Sequence, residues 1–345
     1  MTANSENPQS RTDEFSRIIA ENSKLTDEQK RALQLEVLKL KEQKVNLLIT
    51  GGTGVGKSST INALFDTKRA NVGVGVDPET MSIDRYEIGP LTIWDTPGLG
   101  DGSEKDKEHC RKIIEKLNER EEDGNLLIDL VMVILDGSSK DMGTAFNLIN
   151  KVIIPNLGEE KEGRVLIAVN KSDMAMSGRH WNFENNCPDE TLKKALEAKA
   201  ASVHERIKEA TDVDVTVVCY TAGYTDPDTM EREKPWNLAE LLEYIIHFVP
   251  KRKRLALAES INDDPDMWED NSWEELKGIA SDLKEPFDDI GWYAEHGLPV
   301  DAAASAVKTA IGVPFAAAEA AVIIGAEIIE APLKILGGVF SFFGL

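Results

Sequence analysis

Short apolar runs alternate with longer stretches of helical period along most of the chain. VNLLIT (45–50), MSIDRYEI (81–88), LTIWDTPG (91–98), LIDLVMVILDG (127–137), RVLIAVNKSD (164–173) and VDVTVVCYTAG (213–223) read as six strands, the second and third as a β-pair. SSTINALF (58–65), EKDKEHCRKIIEKLNER (104–120), TAFNLINKVIIPNL (144–157), TLKKALEAKAASVHERIKEA (191–210) and NLAELLEYIIHFVP (237–250) carry helical patterns. This alternation predicts an α/β fold with a mostly parallel six-stranded sheet and helices on both faces. Ahead of it, LTDEQKRALQLEVLKLKEQK (25–44) predicts a helix: Thr26 and Gln29 have capping-box spacing, and Leu33, Leu35, Val37, Leu38 and Leu40 recur near helical period. The polar start, MTANSENPQSRTDEF, has no apolar core of a secretory leader, and its first dozen residues are expected to be disordered.

Chemistry enters in the loops. GGTGVGKSST (51–60) follows the first strand and opens a helix, matching G-x-x-x-x-G-K-[ST] at Gly51, Gly56, Lys57 and Ser58. Its glycines let main-chain N–H groups from Gly51, Gly52, Thr53, Gly54, Val55 and Gly56 turn inward as an anion nest. The helix start at Lys57, Ser58 and Ser59 adds partial positive charge. Lys57 can bridge the β- and γ-phosphates of a nucleoside triphosphate, and Ser58 can ligate Mg²⁺. Asp95-Thr96-Pro97-Gly98 ends a later strand. There Asp95 can hold Mg²⁺ through water, and the Gly98 N–H can sense a γ-phosphate. Asn170-Lys171-Ser172-Asp173 ends another strand. The Asp173 carboxylate can accept from guanine N1–H and its amine together, a donor pair that adenine lacks. Lys171 can lie along the base, and Asn170 can tie this loop to the phosphate loop. The main chain of Tyr220-Thr221-Ala222 is a candidate for the guanine O6. Thr80 is a candidate for Mg²⁺ and the γ-phosphate, with Ser82 as its competitor.

GGTGVGKSS, a loop Thr, DTPG, NKSD and YTA in this order resemble the five motifs of translation-factor-class P-loop GTPases, and most closely the Era-like GTPases. These include a prophage-borne bacterial type described as ribosome-binding, and SGRHWNFENNCPDE (177–190) resembles an insertion of that type. The likeness covers roughly residues 44–250. It implies a three-layer P-loop GTPase sandwich that hydrolyses GTP to GDP and phosphate with Mg²⁺, as a molecular switch. Two departures stand out. Ras-like enzymes place a water-orienting Gln directly after the DxxG glycine, where this chain has Leu99; and K⁺-activated relatives place an Asn in the P-loop where it has Gly54. Slow intrinsic turnover is therefore expected, accelerated when a second subunit or a partner supplies the missing group.

Charge and the C-terminal third bound the remaining possibilities. A formal net charge of −22 argues against a broad duplex nucleic-acid surface. Three widely spaced cysteines without a CxxC pair suit a reducing, cytoplasmic setting without structural zinc. The expected organisation is an arm at 1–43, the nucleotide domain at 44–250, an acidic linker or helices at 251–300, and an apolar amphipathic helical tail at 301–345. On a helical wheel the charged residues of that tail (Asp301, Lys308, Glu319, Glu327, Glu330 and Lys334) fall within about a third of the circumference. Its longest charge-free run, ILGGVFSFFGL, has eleven residues, short of the ~18 a spanning helix needs. Three readings stay open for it: packing on its own domain, lying in a membrane interface as a peripheral anchor, or contact with another subunit in a homodimer or oligomer. Ribosome contact is the partner that the Era-like resemblance implies; the alternatives are a membrane-associated GTPase of dynamin-like or immunity-related character that uses the apolar C-terminal helices, and a nucleotide-binding module with negligible turnover.

Overall fold

The computed structural model of the chain describes residues 20, 26–65, 67, 71–73, 83–98, 103–225, 232–262, 264–268 and 273–285. Thr80, Ser82, Leu99 and the tail at 301–345 lie outside the described residues. The chain forms two compact units, 1–42 together with 276–345, and 43–275.

In the first unit, α1 (Asp27–Lys41) fills most of the expected helix. Asp27 and Glu28 sit in its first turn and Lys39 and Lys41 in its last, the arrangement that the helix dipole favours.

The second unit is built on one sheet. In chain order its strands are β1 (Val45–Gly51), β2 (Asn71–Gly73), β3 (Asp84–Ile88), β4 (Leu91–Asp95), β5 (Leu130–Asp136), β6 (Val165–Asn170) and β9 (Thr216–Cys219). They lie in the order β2-β3-β4-β1-β5-β6-β9. From β4 to β9 every pairing is parallel, while β3 turns back on β4 in the antiparallel sense. All six expected strands form. The additional β2 is a three-residue strip, antiparallel on β3 and too short to show a period. β1 and β6 are buried along their whole length, as strands covered by helices on both faces must be. Leu48, Val131, Val133, Leu135, Ile167 and Val169 form the centre of the core.

Helices α2 (Lys57–Leu64), α3 (Ser103–Asn118), α4 (Gly143–Leu148) and α5 (Glu190–Thr211) connect the strands, and α6 (Leu238–Phe248) follows the last of them. The helix starting at α4 loosens into a π turn at Ile149–Ile153 and a 3₁₀ turn at Ile154–Asn156. Pro155 lies in that last turn and has no N–H to continue an α ladder. The insertion before α5 forms two short paired strands, β7 (Trp181–Asn182) and β8 (Cys187–Pro188). It has its own small core of Ala175, Trp181, Leu192 and Leu196, with Trp236 edge-on to Trp181 at 5.6 Å. Asp189 then caps α5, accepting from the Thr191 and Leu192 N–H groups at 2.9 Å.

From Pro250 to Glu275 the chain stays on the same unit. Helix α7 (Arg254–Ala258) is buried throughout. The Ser260 hydroxyl donates to the Ile88 carbonyl at 2.7 Å, and the Asn262 N–H donates to the Leu64 carbonyl at 2.9 Å. Lys253 donates to both carboxylate oxygens of Asp129, at 2.9 and 3.1 Å. Burial pushes the Asp129 carboxyl above its usual range against the pull of Lys253. Lys253→Ala should therefore strand a charge whose side chain is 5% exposed. The expected loss is about 2–3 kcal/mol of unfolding free energy, read by urea denaturation. The Lys253→Met/Asp129→Asn pair should recover most of it, and full stability in Lys253→Ala alone would contradict this role.

Candidate nucleotide-binding site

The strand register collects the expected loops on one edge of the sheet. Ile49 pairs with Asp95, Gly51 with Ile134, Asp136 with Asn170, and Val169 with Cys219. The loops after β4, β1, β6 and β9 therefore leave from the carboxyl ends of neighbouring parallel strands, where open α/β sheets hold ligands.

Gly51–Gly56 turns directly into α2. Gly56 is the N-cap, at φ 93°, and no side chain caps the helix. A Cβ at Gly56 would fall 2.3 Å from Asn170 Nδ2, so only glycine fits. Gly54, at φ 74°, faces open space. Val55 is buried, Gly52 is half-buried, and Thr53, Ser58 and Ser59 are exposed. Lys57 Nζ donates to the Gly52 carbonyl at 3.2 Å, back across the loop.

Asp95 stands beside this loop at 9% exposure. Burial lifts its pKa to about 6; the Lys57 charge opposes the rise and Asp84 adds to it. Its Oδ1 is buried with no hydrogen-bond partner among the described residues. Past Asp95, the Thr96 hydroxyl donates to Thr50 Oγ1 at 2.8 Å. Gly98 lies against the phosphate loop itself: a Cβ there would meet Thr53 Oγ1 at 2.4 Å and Thr53 N at 2.6 Å.

On the other side, Asn170 is 3% exposed. Its Nδ2 donates to the Val55 carbonyl at 2.9 Å, and its Oδ1 accepts from the Ala222 N–H at 3.0 Å. One side chain thus joins the phosphate loop to the loop after β9. Thr221 is held by a two-way main-chain bridge to Trp236, 3.0 Å each way. Lys171, at φ 60°, pairs with Asp136 at 2.8 Å. Burial alone would raise the Asp136 carboxyl, but hydrogen bonds from Lys171 and Ser138 outweigh it and hold the group below its usual range. Asp173 is half-buried, and its Oδ1 has no partner among the described residues.

Three contributors escaped the sequence reading. Asp136 anchors Lys171, Lys199 donates to the Gly137 and Ser139 carbonyls, and the Tyr220 hydroxyl reaches Thr60 at 2.6 Å. Asp136 had a signal: it is the carboxylate closing the apolar run LVMVILD, as Asp95 closes LTIWD.

The donor set suits Mg²⁺. Among the described residues no group of three or more His, Cys, Asp or Glu side chains comes together as a metal cage. The Asp95 carboxylate and the Ser58 hydroxyl are hard oxygen donors of the kind Mg²⁺ accepts when phosphates and water supply the rest. No helix among the described residues is long and apolar enough to cross a membrane.

Part of the chain is similar to known proteins. Over 140 residues the chain is 31% identical to the tRNA modification GTPase MnmE of Geobacter metallireducens, covering 39% of this chain and 27% of that protein. Over 124 residues it is 35% identical to Translocase of chloroplast 108 of Physcomitrium patens, covering 34% of this chain and 12% of that protein. The chain thus spans about a quarter or less of these relatives' length. Among solved structures it is similar to chloroplast translocon components atToc33 and psToc159, at 18% identity and a TM-score of 0.39, over 62% of this chain and 89% of that one. Residues 46–171 match the family model described as 50S ribosome-binding GTPase.

Proposed function

We propose that the 43–275 unit binds GTP with Mg²⁺ and hydrolyses it to GDP and phosphate, switching between the two nucleotide states. One observation carries the reading. Two carboxylate oxygens, Asp95 Oδ1 and Asp173 Oδ1, are buried without hydrogen-bond partners among the described residues, at the carboxyl ends of β4 and β6, where Asn170 is tied to the phosphate loop. Buried carboxylates without partners are costly, and a ligand that satisfies both relieves that cost.

In this reading the main chain of Gly51, Gly52, Thr53, Gly54, Val55 and Gly56 cradles the phosphates, with Lys57 on the β- and γ-phosphates and Ser59 at the helix start. Ser58, Asp95 and Thr80 would hold Mg²⁺, which would neutralise phosphate charge. Gly98 offers its N–H to the γ-phosphate. Asp173 takes the guanine edge, Lys171 lies along the base, and the main chain of Thr221 and Ala222 supports O6. Asn170 acts through the loops that it joins. No side chain serves as nucleophile: water attacks, and the chain contributes position and charge. Because Leu99 cannot orient water, turnover per monomer is slow and rises with protein concentration as a second copy or a partner completes the site.

Phosphate release from GTP and from ATP, with Mg²⁺ or with chelator, tests this on wild type and Lys57→Ala. The wild type should favour GTP and need Mg²⁺, and Lys57→Ala should lower kcat by about 10²-fold. Equal rates on ATP, or a Lys57→Ala rate at the wild-type level, would sink the proposal.

A further inference from the structure

Tyr220 has a side chain that none of these assignments uses. It is 0% exposed, as is Thr60 of α2. Its hydroxyl lies 2.6 Å from Thr60 Oγ1, and Thr60 Oγ1 lies 2.8 Å from the Gly56 carbonyl. A carbonyl only accepts, so the Thr60 proton belongs to Gly56, and Thr60 in turn accepts from Tyr220. The chain of donors therefore runs from Tyr220 to Thr60 to Gly56, and begins 160 residues away in sequence from its middle member.

The main chain of Tyr220 is held as well. Its N–H donates to the Val169 carbonyl at 2.9 Å, and its carbonyl accepts from the Ser172 N–H at 3.2 Å. Asn170, on the same side of the site, holds the Val55 carbonyl. Two base-side residues thus bear on the carbonyls of consecutive phosphate-loop residues: Asn170 on Val55 directly, and Tyr220 on Gly56 through the Thr60 hydroxyl, which adds a second bond to the helical one that the Thr60 N–H makes to the same carbonyl at 3.0 Å. In a planar trans peptide the C=O and the following N–H point in opposite directions. Holding the Val55 and Gly56 carbonyls therefore sets the aim of the Gly56 and Lys57 N–H groups. Both hydroxyls are shut away from water, so no solvent molecule can replace the missing bond if one is deleted.

We propose that the Tyr220 hydroxyl is a positioning group which, through Thr60, orients the Gly56–Lys57 main chain and so couples the base side of the site to its grip on phosphate. The proposal rests on the nucleotide-binding reading above.

Inorganic pyrophosphate tests it, because this probe cannot touch the base side. Displacement of fluorescent GDP, well below the melting temperature of each variant, gives affinities for GDP and for pyrophosphate. Tyr220→Phe keeps the ring and should weaken both by about fivefold. Thr60→Val breaks the chain at its middle and should weaken both at least as much, and adding Tyr220→Phe to it should change either affinity less than twofold further. Thr60→Ser keeps the hydroxyl and should bind like wild type. Unchanged pyrophosphate affinity in Tyr220→Phe, or effects of the two deletions that multiply, would overturn the coupling. A wild type that binds pyrophosphate but no guanine nucleotide would overturn the functional reading instead, and leave Tyr220 to be judged on the pyrophosphate measurements.

Discussion

Replacing Asp95 with Asn is expected to stabilise the nucleotide-free protein while removing most of its Mg²⁺-dependent turnover. Both effects come from one environment. The Asp95 carboxyl gives up its proton near pH 3.8 in an unfolded chain and at about 6 in the fold, chiefly through burial. Between those values the folded state holds more of the proton, so stability falls as pH rises through this window, and the penalty stands in full above pH 6. An amide of the same shape pays no such penalty. At pH 7.5 the gain should reach about 1–3 kcal/mol, roughly 3–8 °C in Tm, and it should shrink toward zero near pH 4. Turnover should drop by about 10²–10³-fold, because an amide brings no negative charge to the cation. Thermal scans at the two pH values, without nucleotide or Mg²⁺, check the first effect, and phosphate release checks the second. A variant no more stable than wild type at pH 7.5 would mean that the carboxylate is better solvated or better paired than its surroundings indicate.

That opposition between stability and function also marks what could be read in advance. The six strands were legible because their burial is local: VNLLIT and VLIAVN are mostly apolar runs, buried along their length, and need no partner to declare themselves. The phosphate loop was legible for a different reason. Gly56 must take a left-handed conformation with Asn170 against its Cα, and glycine there is a demand of the fold, written in one residue. What escaped depends on distance along the chain. KRKR (251–254) reads as the start of a linker, yet Lys253 is half of an ion pair whose other half, Asp129, lies 124 residues earlier. Likewise, nothing local in CYTAG shows that Tyr220 donates to a helix at the other end of the domain. The strip Asn71–Gly73 is recognisable only by its pairing with β3. Composition and period report which residues leave water; they are silent on which buried polar groups find each other.

Asp173 carries the other large effect, on choice rather than rate. Its Oδ1 is buried and has no partner among the described residues, on a loop pinned by the two residues just before it: Lys171 to Asp136, and the Ser172 N–H to the Tyr220 carbonyl at 3.2 Å. The main chain that carries the carboxylate is thereby held in place. Guanine offers it two donors, N1–H and the exocyclic amine; adenine presents an acceptor at N1, which leaves the carboxylate unpaired and faced by a lone pair. Sites built to hydrogen-bond a group reject analogues lacking it by about 10⁴–10⁵-fold. Asp173→Ala should therefore weaken GTP binding by at least about 10³-fold while leaving ATP and pyrophosphate affinities within about threefold of wild type, collapsing the preference for guanine. Calorimetric titration with the three ligands separates the outcomes. Equal losses for GTP and pyrophosphate would place Asp173 in support of the phosphate loop, and an undiminished preference for GTP would move base selection to the main chain of Thr221 and Ala222.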